Sequence, residues 1–127
     1  MNDCVGILIV SHSPDVAKGA AAMVEEMVGT TVPVEYCGGS GDGRLGTDVA
    51  AIHTCLERLA TSRGIAVLHD FGGARMNAEM AIGLLDSYPH DQVVMCDAPV
   101  VEGAVLAASE ASLGSDLRAV RAAAEEA

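Results

Sequence analysis

Short aliphatic runs alternate with helix-patterned segments along the whole chain, and this alternation limits the folds open to it. Val5–Val10 is a continuous apolar run of strand length, as expected when both faces of a sheet are covered. Ser13-Pro14-Asp15 then reads as a helix start. Ser13 can cap, Pro14 suits the first helical position, and Asp15 suits the positive end. Val16, Ala20, Met23, Val24 and Met27 keep the helical period, and Gly29 ends it.

The pattern repeats. Val32–Cys37 reads as a second strand, followed by a glycine-rich loop from Gly38 to Gly46. Thr47 is placed to cap a second helix with Val49, Ile52, Leu56 and Leu59 on one stripe. Ile65–His69 is a third strand, and the loop Asp70-Phe71-Gly72-Gly73 leads into a helix carrying Met76, Met80 and Leu84. Gln92–Cys96 is a fourth strand. Ala98-Pro99 opens a helix through Val101, Val105 and Ala108, Gly114 breaks it, and Ser115 is placed to cap a last, Ala-rich helix.

Alternation with short connections implies right-handed crossovers and parallel strands. The expected fold is α/β, a three-layer sandwich. It has a mostly parallel central sheet of four or five strands with helices on both faces. A length of 127 residues makes this a single domain, residues 1–127. Half the residues are hydrophobic, yet Trp is absent and Phe occurs once, so the core must be aliphatic and built from small side chains.

Charge and cysteine usage narrow the partners. Eighteen acids against seven bases give a formal charge of -11, a poor surface for nucleic acid or an anionic membrane. No apolar run approaches the ~20 residues of a membrane span, and the apolar start lacks the basic flank of a signal peptide. The four cysteines, Cys4, Cys37, Cys55 and Cys96, have no metal-ligand spacing and read as buried thiols. A cytoplasmic protein with neither metal nor cofactor is the expectation.

In parallel sheets ligands sit beyond the carboxyl ends of the strands, where strand order switches. That singles out Ser11-His12-Ser13, residues 38–48, residues 70–74, and Asp97-Ala98-Pro99. His12 ends the first strand and precedes a capped helix, so its ring lies near unpaired amides and a positive dipole. A phosphoryl group on the imidazole would be stabilised there, and histidine is a competent nucleophile. A histidine that only hydrogen-bonds its loop fits the same position. Asp70, at the end of the third strand, can fix the His12 tautomer and leave one ring nitrogen free. It can equally accept from the amides of Gly72 and Gly73, which could themselves cradle a phosphate. His69 should point to the opposite face of its strand, and His53 and His90 read as structural or solvent-facing.

Rival chemistries fit less well. Gly41-Asp42-Gly43-Arg44-Leu45-Gly46 satisfies GxGxxG, but a dinucleotide fingerprint belongs after the first strand. Ser11 and Ser13 flank His12 without a GxSxG elbow. Phosphorylation of Asp70 in a receiver-like domain wants a lysine late in the chain, and the only lysine is Lys18.

Four motifs in order carry a family resemblance: Val10-Ser11-His12-Ser13, Gly46-Thr47-Asp48, Asp70-x-Gly72-x-Ala74, and Ala98-Pro99-Val100-Val101-Glu102-Gly103-Ala104. The chain resembles the mannose-type EIIA domains of the phosphotransferase system. Within them it is similar to the DhaM phosphotransferase subunits of PTS-dependent dihydroxyacetone kinases. The resemblance implies phosphotransferase activity: His12 accepts a phosphoryl group from the carrier protein HPr, with Asp70 supporting the imidazole. It further implies transfer to ADP on the DhaL subunit, with dihydroxyacetone bound to DhaK as the final acceptor. Ser13, Thr47, Gly72 and Gly73 are then the expected phosphate- or partner-binding residues. A homodimer is also implied, and Met76, Met80 and Leu84 offer apolar surface for one. The alternative is an EIIA component of a mannose-family sugar permease, donating to an EIIB domain.

Overall fold

The computed structural model describes residues 3–127. In chain order the elements are β1 (Gly6–Ser11), α1 (Pro14–Val28), β2 (Val34–Gly38), α2 (Val49–Arg58), β3 (Ile65–His69), α3 (Ala74–Gly83), β4 (Val93–Met95), α4 (Val100–Ser112) and α5 (Leu117–Glu125). The four strands are parallel and lie in the order β2-β1-β3-β4. This is the expected three-layer α/β sandwich.

The layers follow from the two-residue period of the central strand. Ile7 and Ile9 of β1 pack with Ala17, Ala20 and Val24 of α1 and with alanines of α4 and α5. Leu8 and Val10 point the other way, onto Ile52 and Leu56 of α2 and Ala74, Ala78 and Ala81 of α3. Every residue of β1 is buried. Each buried Leu, Ile or Val contributes roughly 1.5–3 kcal/mol relative to exposure. The alanines let the helices lie close on the sheet without aromatic filler.

The strands and caps differ from the sequence expectation in detail. The second strand begins at Val34, not Val32, because Pro33 has no N–H; its carbonyl accepts instead from the Ile7 amide at 2.9 Å. The fourth is only Val93–Met95, since a 3-10 turn takes up His90–Gln92. Thr47 does not cap α2. Asp48 does, its carboxylate accepting from the Ala50 N–H at 3.1 Å, and a carboxylate suits the positive helix end better than a hydroxyl. Likewise Asp116, not Ser115, caps α5 by accepting from the Ala119 N–H at 2.9 Å, while the Ser115 hydroxyl donates to Glu110.

Strand order positions the site. From β1 the chain crosses to β2 on one side, then returns past β1 to β3 on the other. The switch therefore lies between β1 and β3, whose carboxyl ends open a crevice. Val10 pairs with His69 in register, which brings Ser11 and His12 beside Asp70.

Candidate functional site

The Ser13-Pro14-Asp15 segment starts α1 as expected, the Ser13 hydroxyl accepting from the Val16 N–H at 3.3 Å. This fixes the turn on which His12 sits. A second constraint comes from Gly38, where a side chain could not fit: a Cβ there would lie 2.6 Å from the Ser13 carbonyl oxygen. A third is the hydrogen bond from the Gly46 N–H to the His12 carbonyl, 2.9 Å, which ties the glycine-rich loop to the same turn.

Across the crevice the Asp70 carboxylate receives three hydrogen bonds from this turn. Its Oδ1 accepts from His12 Nδ1 at 2.7 Å. Its Oδ2 accepts from the Ser11 hydroxyl at 2.7 Å and from the His12 main-chain N–H at 3.0 Å. Ser11 is fully buried, and its oxygen accepts in turn from the Ser13 N–H at 3.1 Å. Burial works against the Asp70 charge, but these hydrogen bonds, led by that from Ser11, outweigh it and hold the carboxyl pKa below the ordinary value. A carboxylate can only accept, so Nδ1 of His12 carries a proton, and in the neutral imidazole Nε2 keeps the lone pair.

Nε2 faces Gly72. The backbone there is left-handed, with φ of 63°, and a Cβ would stand 3.3 Å from Nε2. Only glycine leaves that nitrogen unobstructed. Gly73 follows at the start of α3 with no side-chain cap, so no side chain competes for the amides of that first turn. Phe71 lies flat on the imidazole, with centroids 4.4 Å apart and planes 6° from parallel, although 73% of its own surface is exposed. The stack covers one face of the His12 ring, whose side chain keeps 19% of its surface exposed. The arrangement can therefore present a neutral imidazole, locked in one tautomer, to an electrophile arriving at Nε2.

The structure brings together His12, Asp70, Ser13 and Gly72. Thr47 is held differently: its hydroxyl accepts from the Asn77 side-chain amide at 2.6 Å, linking the glycine-rich loop to α3. His69 pairs through Nδ1 with the Asp70 carbonyl at 2.9 Å, rather than with His12. His53 lies 3.3 Å from Glu57, and His90 pairs with the Leu85 carbonyl at 2.8 Å, both structural contacts. The Asp42 side chain holds the GxGxxG segment to itself, accepting from the Arg44 N–H at 3.0 Å. Sequence reasoning missed the parts played by Ser11 and Phe71. The signal for Phe71 was available: the chain's single Phe stands between two site residues. Ser11 stands in the Val10-Ser11-His12-Ser13 motif, but nothing in the sequence marks its hydroxyl as a partner of Asp70.

Residues 6–121 match the EIIA-man family, described as the PTS system fructose IIA component. The chain is 38% identical over 116 residues to the phosphoryl donor subunit DhaM of PEP-dependent dihydroxyacetone kinase 2 from Listeria innocua, covering 91% of this chain and 93% of the relative. It is 30% identical to the corresponding DhaM of Escherichia coli, where it matches only 25% of the longer protein. A solved structure of a protein of unknown function superposes with a TM-score of 0.85 at 30% identity, covering 96% of this chain and 92% of the other. The chain therefore belongs to the EIIA-man family of the phosphotransferase system.

Proposed function

We propose that this protein is a phosphoryl carrier of a dihydroxyacetone kinase system, loaded on Nε2 of His12. The observation that carries the reading is the pairing of a proton-bearing Nδ1 on Asp70 with an unobstructed Nε2 beside Gly72. The lone pair of Nε2 attacks the phosphorus of the phosphohistidine on HPr. A new N–P bond forms as the donor's N–P bond breaks, and the positive charge that develops on the ring is balanced by Asp70. The amides of Gly72 and Gly73, beside Nε2 at the start of α3, would hold the phosphoryl oxygens. In the second step an oxygen of the ADP β-phosphate on DhaL attacks, the N–P bond breaks, and ATP forms for the dihydroxyacetone on DhaK.

Similarity to subunits named as phosphoryl donors of dihydroxyacetone kinases supports this acceptor over the EIIB domain of a sugar permease. The exposed row Met76, Met80 and Leu84 on and just beyond α3 supports a homodimer, since a small protein seldom leaves such a row in water. The test is acceptor choice. Protein labelled from phosphoenolpyruvate, enzyme I and HPr is mixed with DhaL·ADP or with a mannose-type EIIB. The reading predicts ATP formation in the first and no label transfer in the second. Transfer to EIIB alone would contradict it.

A further inference from the structure

The glycine-rich loop that is tied to His12 is bracketed by two cysteines. Cys37, half-buried at the carboxyl end of β2, and Cys55, buried on α2, both belong to the layer between the sheet and α2. The Cys55 thiol donates to the Tyr36 carbonyl at 3.6 Å, which seats its sulfur on the peptide joining Tyr36 to Cys37. Cys37 packs against the same cluster of side chains that buries Cys55. We propose that Cys37 and Cys55 form a site of reversible oxidation by hydroperoxides, and that the resulting disulfide closes the loop of residues 38–48 into a ring beside His12.

The rest of the chain favours this pair. The neighbouring Cys37 thiol holds Cys55 below its ordinary pKa despite burial, whereas burial pushes Cys96 up to about 12. Cys37 is the solvent-facing member, so a small oxidant reaches the pair from its side. The Cys55 thiolate attacks one peroxide oxygen, the O–O bond breaks, and water leaves once the departing oxygen is protonated. The Cys37 sulfur then attacks the sulfenic acid: the S–S bond forms, the S–O bond breaks, and a second water leaves. Two thiols are oxidised and one peroxide is reduced. A ring from residue 37 to residue 55 restricts the loop whose Gly46 N–H holds the His12 carbonyl, and Cys37 adjoins Gly38, which packs on the Ser13 carbonyl. The consequence for phosphoryl uptake rests on the function proposed above.

The test is to treat the reduced full chain with hydrogen peroxide. Trypsin places each of the four cysteines in a different peptide, so the bond can be assigned. Expected are a mass loss of two hydrogens, a cross-link between peptides 19–44 and 45–58, and reversal by dithiothreitol. Cys37→Ser and Cys55→Ser should each abolish the cross-link, and amide exchange in residues 38–48 should slow in the oxidised protein. A bond through Cys4 or Cys96, a disulfide between two chains, or added oxygen without a cross-link overturns the site. Unchanged exchange overturns the loop closure. Uptake from phospho-HPr should fall on oxidation and recover on reduction, with no such fall in Cys37→Ser. A reduced protein that takes no phosphate at all refutes the transfer reading and leaves the disulfide map standing.

Discussion

Asp70→Asn changes one atom and should nearly stop phosphoryl transfer. In the native site both carboxylate oxygens accept: Oδ2 from the Ser11 hydroxyl and the His12 N–H, Oδ1 from His12 Nδ1. An amide offers one accepting oxygen. Placed toward Ser11 and the His12 N–H, that oxygen keeps two hydrogen bonds and turns the NH2 toward Nδ1. The ring then moves its proton to Nε2, and the nucleophilic lone pair is gone. Keeping the reactive tautomer sets N–H against N–H, at about 1–3 kcal/mol for the unsatisfied donors. The charge that balances the developing imidazolium is also lost, a further ~1.5–3 kcal/mol for a charged hydrogen bond. At about 1.4 kcal/mol per tenfold, the sum is a slowing of roughly 10²–10⁴. The same substitution in a serine-protease triad costs about 10⁴ by the same tautomer logic. The assay is rapid-quench uptake from phospho-HPr, with saturation giving the rate constant and half-saturation separately, alongside nitrogen NMR of the His12 tautomer. The rate constant should fall, half-saturation should hold, and the proton should sit on Nε2. A wild-type rate, or a slow variant still protonated on Nδ1, would refute the reasoning.

Three further outcomes follow from the same geometry. Gly72→Ala places a methyl beside Nε2 in a left-handed conformation; it should cost about 1–2 kcal/mol in denaturant unfolding and slow phosphoryl uptake by more than that loss explains. Phe71→Ala removes the ring stacked on His12; aromatic pairs contribute about 0.5–1.5 kcal/mol, so uptake should slow up to roughly tenfold, and Phe71→Tyr should restore it. Because the folded-state pKa of Asp70 lies below its unfolded value, its ionised form stabilises the fold. That contribution is complete above the ordinary carboxyl range and is lost as pH falls through the folded value. Asp70→Asn should therefore flatten the acid limb of a stability-pH curve, and an unchanged limb would contradict the assignment.

The alternation of apolar runs and capped helices made the layer order legible, because continuous burial of both strand faces leaves few other arrangements. His12 and Asp70 were legible for a related reason: each directly follows a strand, and parallel sheets collect such residues in one crevice. Strand register could not be read, so the role of Ser11 waited for the pairing of β1 with β3. The choice of Asp48 and Asp116 over Thr47 and Ser115 was equally hidden. Adjacent residues can both cap, and the decision rests on which side chain is occupied elsewhere, Thr47 by Asn77 and Ser115 by Glu110. Phe71 read as a loop residue because its stacking partner is near in space and distant in sequence.

The central claim is that Nε2 of His12 carries the phosphoryl group. The direct measurement is to charge the protein with phosphoenolpyruvate, enzyme I and HPr, then locate the phosphate by fragmentation mass spectrometry and phosphorus NMR at neutral to alkaline pH. The account predicts one phosphate per chain on Nε2 of His12, none in His12→Ala, and normal uptake in His69→Gln. Phosphate on Nδ1, on any other residue, or retained in His12→Ala would contradict it.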